Sequence, residues 1–438
     1  MPFALLVFSL VPVSLAGCGG GATSAALPPL PPPPPARKGK YFKHIVVIVQ
    51  ENRSFDNFFA TFPGADGATD GRTHDGRKIP LRESNLNSAL VTNHGYPQWK
   101  IEYDNGKMDG FDLVPPGTAV YEYVDPAQIR PYWDLAKSYV LSDHTFQTQG
   151  SGSFTAHQDL IRGGTEIGNS ESLVDFPSHP PWGCDAPPGT VTSLISIDNR
   201  YLPLQGPPPC LSYRTLRDLL DAKQLSWRYY TPAVGQSLPG DQWNAFDAIK
   251  PVRYGPEWSS NDVSPETRVF TDISRNTLPA VSWIIPDAQN SDHPAEGSDT
   301  GPSWVAQIVN AIGKSPAWDS TAIIIVWDDW GGWYDHVAPP GPRRYGGLGF
   351  RVPLIAVAPF AKDGYVSHDD YQFGSIVRFI EDNWNLGSLG TTDATSPDFV
   401  DDFFDFTQKA RTFVPIGARY SKSYFLHQPP SNEPVDTE

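Results

Sequence analysis

The residues Ile45 to Val49 form a continuous apolar run in which every side chain is β-branched. A run of this length and composition is typical of a strand that is buried on both faces of a parallel sheet. Glu51 and Asn52 follow almost directly, and ligands of an open α/β sheet bind outside the carboxyl ends of its strands. Carboxylate and amide oxygens there suit a hard cation. Alternatively, Glu51 and Asn52 simply begin the next helix, with Asn52 or Ser54 as its N-cap.

A second apolar run, Thr321 to Trp327, also ends in oxygen-bearing side chains, because Asp328 and Asp329 follow it. Two adjacent carboxylates at the end of a buried strand repel each other and lose hydration unless a cation or basic group lies between them. The following Gly331 and Gly332 permit a tight turn. Together the two strand ends predict one metal-centred site at one edge of a sheet. The alternative is a solvated acidic turn.

The remaining pattern predicts an α/β fold with a mainly parallel central sheet between two layers of helices and with loop-rich insertions. Further strand-like runs are 139–141, 280–285 and 354–358, and helical patterns are 133–138, 213–222, 303–312 and 373–384. The Pro- and Gly-rich region from about 166 to 212 is predicted as either a lid around the site or a plain surface insertion.

The length of 438 residues suits one large α/β domain with insertions, or two domains. The formal net charge of −16 disfavours nucleic acid as a partner, because an acidic surface repels a phosphate backbone. A phosphate ester remains possible as a substrate, since a bound cation reverses the local field.

The first residues have the pattern of a targeting segment. Residues 1–17 are predicted to be a lipoprotein-type signal peptide, because a short apolar run ends in Leu-Ala-Gly before Cys18, which resembles a bacterial lipobox. No Lys or Arg precedes this run, and an ordinary secretory signal with a chance cysteine is the alternative. Residues 18–39 are predicted to be a Gly/Pro-rich tether, residues 40–425 the catalytic domain and residues 426–438 a disordered tail. The expected location is the bacterial cell envelope, lipid-anchored through Cys18 on the periplasmic or surface side, or the secreted fraction.

The two remaining cysteines, Cys184 and Cys210, bracket a Pro-rich stretch. An exported chain meets an oxidising compartment, so we predict a disulfide between them. The pair is a poor zinc signature, because no flanking Cys or His pair accompanies it.

Three further polar positions lie between the two strand ends. His94 lies in a polar loop, where a histidine is most often only solvated, and His293 follows the apolar run that ends at residue 285. Glycines around Ser153 permit a sharp turn that would present this serine at a helix start, where the backbone N–H groups favour an anion. The alternative is that Ser153 or Thr155 is a plain helix N-cap. The flanking residues do not form a Gly-x-Ser-x-Gly elbow.

These motifs together resemble the bacterial phosphoesterase family that contains phosphatidylcholine-type phospholipases C and a group of acid phosphatases. The resemblance runs from about residue 43 to about residue 384. It is carried by Glu51-Asn52-Arg53-Ser54-Phe55-Asp56, Asn105-Gly106-Lys107-Met108-Asp109-Gly110, Asp328-Asp329 with Gly331-Gly332, Asp335-His336-Val337, and Arg351-Val352-Pro353-Leu354. It implies an alkaline-phosphatase-like fold.

The resemblance also implies roles for individual residues. The metal ligands would be Glu51, Asn52, Asp328 and Asp329. His94 and His293 would contact the phosphoryl group, and Ser153 would be the nucleophile. The phospholipase branch usually has Thr-x-Pro-Asn-Arg where this chain has Ser-Phe-Thr-Ala-His at 153–157, so Thr155 is kept as the alternative nucleophile. Spacing to Gly163 favours Ser153.

The implied function is metal-dependent hydrolysis of phosphoric esters through a phosphoseryl intermediate, by a phospholipase C-like phosphodiesterase. The expected cofactor is one divalent ion (Ca, Mg, Mn, Zn or Fe), and the expected substrate is a phosphate ester, which includes the possibility of a phospholipid. An acid phosphatase of the same family is the main alternative, although the adjacent His pair of that branch is absent here. A sulfatase-like hydrolase and a non-catalytic lipid-anchored binding protein are weaker alternatives. Residues 226–230 are read either as core or as a pocket for a choline-like cation.

Overall fold

The apolar runs of the sequence form strands, and their alternation with helices gives a mixed α/β fold. The structure is a computed structural model that describes residues 30–88, 90, 92–234, 238–239, 243–341 and 344–431. Its strands are β1 His44–Gln50, β2 Asp70–Arg72, β3 Lys78–Pro80, β4 Arg82–Ser84, β5 Glu122–Val124, β6 Val140–Ser142, β7 Thr145–Phe146, β8 Glu166–Ile167, β9 Glu171–Val174, β10 Ser193–Ser196, β11 Tyr201–Leu202, β12 Trp227–Tyr230, β13 Ala233–Val234, β14 Leu238–Pro239, β15 Asp262–Val263, β16 Val281–Ile284, β17 Thr321–Trp327, β18 Leu354–Val357, β19 Tyr365–Ser367 and β20 Tyr371–Gln372. Its α-helices are α1 Phe55–Phe59, α2 Tyr96–Tyr103, α3 Arg130–Ser138, α4 Ser153–Arg162, α5 Leu216–Ala222, α6 Lys250–Arg253, α7 Glu257–Ser260, α8 Arg268–Ser274, α9 Gly301–Gly313, α10 Phe373–Trp384, α11 Val400–Phe403 and α12 Lys422–His427.

The central sheet has eight strands in the order β15-β12-β16-β1-β17-β18-β6-β19. Neighbouring strands pair in parallel, except that β18 is antiparallel to both β17 and β6. The prediction of a mainly parallel sheet is therefore confirmed. Strand β12 was not predicted as a strand, because Trp-Arg-Tyr-Tyr shows neither a continuous apolar run nor an alternation of apolar and polar residues.

Helices cover both faces of this sheet. On one face, the Trp283 indole donates a hydrogen bond to the Leu160 carbonyl of α4 at 3.3 Å. Val47 pairs with Trp283, so Gln50, three residues further along β1, points to the opposite face. There the Gln50 amide donates to the Tyr132 hydroxyl of α3 at 3.0 Å. Helix α9 contacts both α3 and α8, and these three form one layer. Helix α4 contacts both α5 and α10, which form the other layer. The sheet is thus the middle of three layers.

The region from about 166 to 212 has more regular structure than the sequence predicts. It contains a four-stranded sheet in the order β11-β10-β9-β8, whose strands pair antiparallel. The predicted disulfide between Cys184 and Cys210 is present, with Cα atoms 4.4 Å apart. This insertion therefore has its own hydrogen-bonded sheet and a covalent link. It is not merely a loop.

The ends of the described chain are hydrogen-bonded to the rest of the domain. The Trp384 indole donates to the Arg37 carbonyl at 3.1 Å, within the segment assigned to the tether. At the other end, the Ser431 backbone N–H donates to Asp287 at 2.9 Å, in a segment that the sequence assigns to a disordered tail. The signal peptide and Cys18 lie outside the described residues. Among the described residues, no helix is both long enough and apolar enough to cross a membrane.

Candidate functional site

The carboxyl ends of β1 and β17 bring Glu51 and Asp328 together. The two strands are adjacent and parallel, with Gln50 opposite Trp327, so the next residue of each strand lies at the same edge. Both carboxylates are completely buried. Because side chains alternate along a strand, both point away from the α3 face and toward α4. The sequence-based expectation of two oxygen-rich strand ends at one edge matches this geometry.

Helix α4 adds a histidine that the sequence reasoning did not assign. The His157 Nε2 lies 3.0 Å from Glu51 Oε1 and 3.7 Å from Asp328 Oδ2. The imidazole is 1% exposed, and burial lowers the pKa of His157 to about 4 against the raising effect of the Asp328 charge. His157 is therefore neutral near pH 7. The signal that indicates it is helical spacing, because His157 lies one turn after Ser153 on the same helix face.

Glu51, His157 and Asp328 have the chemistry and spacing of a cation site. One ligand atom from each lies within 4.8 Å of the other two. Within the part of the chain that the structure describes, Asp328 Oδ2 accepts no hydrogen bond although it is buried. A buried carboxylate oxygen with no donor is costly unless a cation neutralises it. These residues therefore fit a bound divalent ion.

Asn52 and Asp329 lie beside this group and hold its loops together. The Asn52 backbone N–H donates to Asp328 Oδ1 at 2.9 Å, and the Arg53 N–H donates to the Asp329 carbonyl at 3.0 Å. Asn52 has a left-handed φ of 59°. Gly331 has a φ of 60°, and a Cβ there would lie 2.3 Å from the Asn52 carbonyl oxygen. Glycine is therefore required for the two loops to approach each other.

Ser153 is the first residue of α4 and is completely buried. Its hydroxyl donates to Asp329 Oδ2 at 3.2 Å, and Asp329 Oδ1 accepts from the Gly331 N–H at 2.7 Å. Gly152, the N-cap residue that precedes Ser153, provides no side-chain cap. The first N–H groups of a helix have no partner within it and favour an anion. The Ser153 hydroxyl therefore lies beside a helix N-terminus, which is a suitable position for a phosphate group.

Thr155 points to a different set of partners. Its hydroxyl donates to Ser151 Oγ at 2.7 Å and contacts the Gly152 carbonyl at 3.2 Å. These contacts are local to the start of α4, so Thr155 stabilises the turn that presents Ser153. Of the two candidate nucleophiles, the structure brings only Ser153 into hydrogen-bonding distance of the acidic strand ends.

His94 lies next to Asn52 and Asp329. Its Nδ1 is 3.1 Å from the Thr92 carbonyl, which can only accept, so Nδ1 carries the proton and donates. Its Nε2 lies 2.8 Å from the Asn52 amide nitrogen and 3.8 Å from Asp329 Oδ2. The ring is also 6.0 Å from Phe176, in an edge-on arrangement. His94 thus orients the Asn52 side chain, and the segment after β9 borders the site.

His293 lies on a loop that is bonded to β1. The Glu51 N–H donates to the Ser291 carbonyl at 2.8 Å, and the His293 ring lies 6.0 Å from Trp243. The neighbouring Asp292 accepts from Tyr132 at 2.6 Å. Burial raises the pKa of Asp292 to about 6, although the Tyr132 hydrogen bond opposes the shift. This anchored loop brings His293 toward the same sheet edge as Glu51.

Four further residues of the sequence motifs form an ion cluster. We use the name ion cluster for Asp56, Asp335, His336 and Arg351. Arg351 bonds Asp335 at 2.8 Å and Asp56 at 3.3 Å, and His336 bonds Asp56 at 2.7 Å. The two carboxylates and the imidazole lie close enough together to hold a metal ion. The Arg351 guanidinium, however, already supplies a positive charge there. These residues therefore hold together the loop after β1, the loop after β17 and the turn before β18.

The aromatic residues at 227–230 belong to the core. Trp227, Tyr229 and Tyr230 are almost completely buried in β12. The Tyr229 hydroxyl donates to the Trp243 carbonyl at 2.6 Å and lies 3.4 Å from His157 Nδ1. Of the two alternatives for this segment, the structure supports core packing.

The amino-acid sequence is similar to those of known phospholipases C. The non-hemolytic phospholipase C of Burkholderia pseudomallei (strain K96243) is 26% identical over 412 residues, which cover 78% of this chain and 55% of that protein. Phospholipase C B of Mycobacterium tuberculosis (strain ATCC 25618 / H37Rv) is 25% identical over 423 residues, which cover 82% of this chain and 77% of that protein. The chain spans about half the length of the Burkholderia and Pseudomonas phospholipases C that it matches.

A solved structure of a Vibrio parahaemolyticus protein in the alkaline phosphatase superfamily aligns with a TM-score of 0.37 and 11% identity, covering 83% of this chain and 72% of that chain. The sequence model of the Phosphoesterase family matches residues 42–387, which include both strand ends, α4 and the ion cluster. The chain therefore belongs to the Phosphoesterase family.

Proposed function

We propose that this protein is a metal-dependent hydrolase of phosphoric esters that acts through Ser153. One observation carries the proposal: the Ser153 hydroxyl, at the start of α4, donates to Asp329 beside the group formed by Glu51, His157 and Asp328. Family membership supports the reaction class. The cation would be held by Glu51 and Asp328, with Asn52 and Asp329 as further candidate ligands. When bound, a divalent cation polarises a phosphoryl oxygen and lowers the pKa of a nearby hydroxyl.

The proposed reaction assigns a proton path to the residues of the chain. Ser153 Oγ gives its proton to Asp329 and attacks phosphorus, so that an Oγ–P bond forms as the bond to the leaving alcohol breaks. The N–H groups in the first turn of α4, which have no partner within the helix, stabilise the negative phosphoryl oxygens. His293 protonates the leaving oxygen, and His94 keeps the Asn52 amide oriented. A water oxygen then bonds to phosphorus as the Oγ–P bond breaks. One water proton goes to His293, and Asp329 returns its proton to Ser153 Oγ, so that all three groups regain their starting states.

We propose a phosphodiester of the phospholipase C type as the substrate class. The names of the relatives support this choice, although the chain spans only part of the longer ones. The absence of an adjacent His pair from the sequence also disfavours the acid phosphatase branch. An exported location is supported by the disulfide between Cys184 and Cys210, because disulfides persist in oxidising compartments.

A substrate panel tests the proposed function. The purified protein is stripped with a chelator, reloaded with single divalent cations and assayed on p-nitrophenyl phosphorylcholine, p-nitrophenyl phosphate, p-nitrophenyl sulfate and phosphatidylcholine vesicles. We expect cation-dependent hydrolysis of the phosphorylcholine ester and of the vesicles. Faster turnover of the monoester would replace the diesterase assignment with a phosphatase. Turnover of the sulfate alone, or of no ester with any cation, would exclude the proposal.

A further inference from the structure

We infer that His157 supplies a nitrogen ligand, through Nε2, to the cation proposed at Glu51 and Asp328, and that Tyr229 positions its ring. The site then selects a borderline cation such as Zn²⁺ over Mg²⁺ and Ca²⁺. This inference rests on the proposed function and narrows its cofactor. It assigns a role to one residue, His157, to which the sequence reasoning gave none.

The spacing of the three side chains suits a shared ion. In a tetrahedral site, metal bonds of about 2.0–2.2 Å to nitrogen and oxygen leave neighbouring ligand atoms about 3.3–3.6 Å apart. The separations from His157 Nε2 are 3.0 Å to Glu51 and 3.7 Å to Asp328. All three side chains are buried, so bulk water does not screen the two carboxylates from each other.

The hydrogen bonds on the far side of the ring decide which nitrogen carries the proton. The Tyr229 hydroxyl sends its own hydrogen to the Trp243 carbonyl at 2.6 Å, and it accepts from the Ala245 N–H at 3.2 Å. Its remaining lone pair faces His157 Nδ1 at 3.4 Å and can only accept. This arrangement places the proton on Nδ1 and leaves the Nε2 lone pair directed at two carboxylates.

A lone pair that faces two buried carboxylates is unfavourable unless a cation lies between them. A simple hydrogen bond from Nε2 to Glu51 would require the proton to be on Nε2. The Nδ1 atom would then face a Tyr229 hydroxyl whose hydrogen is already used by Trp243. A cation bound by Nε2 would accept the Nε2 lone pair and offset the charge of the two carboxylates. The Nδ1 proton would remain available to the Tyr229 oxygen. It also matches the common pattern in which a ligating histidine is oriented through its other nitrogen.

The nitrogen ligand sets the metal preference. Imidazole suits Zn²⁺ and Fe²⁺, whereas Mg²⁺ and Ca²⁺ are bound mainly by oxygen. A site built only from Glu51, Asn52, Asp328 and Asp329 would favour the hard cations. The addition of His157 shifts the preference to the borderline ions.

The test compares cation affinities of the apo forms of four full-length proteins by competition with a chelating dye. The proteins are wild type, His157→Gln, Tyr229→Phe and Tyr230→Phe. Tyr230→Phe is the matched control, because it also removes a buried tyrosine hydroxyl from β12. That hydroxyl donates to Asp272 at 2.6 Å. Its side chain points to the other face of the sheet. X-ray absorption of the zinc forms detects imidazole coordination directly.

We expect wild type to bind Zn²⁺ more tightly than Mg²⁺ or Ca²⁺, with imidazole scattering at the zinc edge. His157→Gln should lose zinc affinity by on the order of 100-fold and lose the imidazole signal, and Tyr229→Phe should lose about 10-fold to 100-fold. Tyr230→Phe should bind like wild type. A wild type that prefers Mg²⁺ or Ca²⁺, or zinc affinity that is unchanged in both His157→Gln and Tyr229→Phe, would overturn the inference.

The two proposals fail in different ways. If wild type hydrolyses phosphate esters with a cation but shows no imidazole ligand, only the His157 assignment is wrong. If wild type binds zinc through His157 but hydrolyses no ester, the proposed function fails and the ligand assignment stands. Should His157→Gln not fold, as judged by circular dichroism, Tyr229→Phe and the wild-type absorption spectrum still decide the question.

Discussion

At the scale of the residue, the candidate site contains a serine hydroxyl that lies between the start of α4 and an acidic strand end. Ser153 donates to Asp329, and Asp329 is in turn fixed by the Gly331 N–H. Thr155, two residues along, bonds back to the turn that precedes the helix. Two hydroxyls on one helical turn therefore have different surroundings, and only one faces the acidic group.

Ser153→Ala should abolish ester hydrolysis and leave the fold nearly unchanged. We expect kcat to fall by at least about 10³-fold, because the nucleophile is lost. Cation content should stay near the wild-type value, as measured by metal analysis. Thr155→Val is the matched control and should retain kcat within about 10-fold. Unchanged kcat in Ser153→Ala, or an equal loss in both variants, would contradict the assignment.

Gly331→Ala should disturb both stability and cation binding. Its added Cβ would lie 2.3 Å from the Asn52 carbonyl oxygen, in a left-handed backbone conformation. Gly64 has a left-handed φ of 85° and no atom within 4 Å of an added Cβ, so Gly64→Ala measures the backbone strain alone. We expect Gly64→Ala to cost about 1 kcal/mol and Gly331→Ala at least twice that, with weaker cation binding. Urea unfolding and metal titration measure the two effects, and equal costs would refute the argument.

At the scale of the element, the ion cluster connects three segments: the loop after β1, the loop after β17 and the turn before β18. Arg351 bonds Asp335 and Asp56, while His336 bonds Asp56 from the other side. Because Asp56 lies in α1, directly after the β1 loop, these bonds fix how the two strand-end loops lie relative to each other. The ion cluster thus fixes the geometry of the candidate site from outside it.

The ion cluster predicts a loss of stability at alkaline pH. Burial alone would lower the pKa of His336, but the hydrogen bond and charge of Asp56 outweigh burial and raise the pKa to about 9. The unfolded chain has a histidine pKa of about 6.5. The folded state therefore binds the proton more tightly, so this stabilisation is complete below about pH 6.5 and is lost as pH rises through about 9.

Urea unfolding from pH 6 to pH 10 checks this prediction. We expect the free energy of unfolding to fall by about 1 to 2 kcal/mol from this group, with allowance for its 26% exposure. His336→Gln should lack that part of the decline. His427→Gln, on the exposed helix α12, should keep it. Parallel pH profiles for wild type and His336→Gln would show that His336 does not contribute.

At the scale of the whole molecule, the site lies at one edge of the sheet, outside the carboxyl ends of β1 and β17, where parallel strands direct their loops. The α4 layer brings Ser153 and His157 to this edge, and the loop after β16 carries His293, the proton donor proposed above. Segments that are distant in sequence therefore meet at one place. A bound cation would join them, so binding should stabilise the domain as a whole.

Removal of the cation should lower the thermal stability of the entire domain. A ligand at about 100 times its Kd adds about 2.7 kcal/mol, which for a domain of this size raises Tm by about 3 °C. Differential scanning calorimetry of chelated and reloaded protein measures the increment. Asp328→Asn should lose it. Asp272→Asn, which removes a buried carboxylate bonded to Tyr230, should retain it. An increment that survives in Asp328→Asn would argue against the ligand role.

The sequence predicted the main strands and the two acidic ends, because continuous β-branched runs and the polar residues after them are local signals. It also predicted the disulfide between Cys184 and Cys210. It did not predict β12, whose aromatic residues lack either strand pattern, or the small sheet within 166–212. His157 was not assigned, because a histidine within a helix gives no local sign of the carboxylates that it faces.

By itself, the sequence determined which residues end the buried strands and which carry the family motifs, since strand patterning and motif spacing are short-range properties. Only the tertiary structure decided that Glu51 and Asp328 point to the same face and that α4 brings Ser153 and His157 to them. It also decided that Thr155 turns back to its own helix start and that Arg351 neutralises the second acidic group. The physical reason is that strand register and helix packing fix side-chain directions across hundreds of residues, and no local pattern encodes those directions.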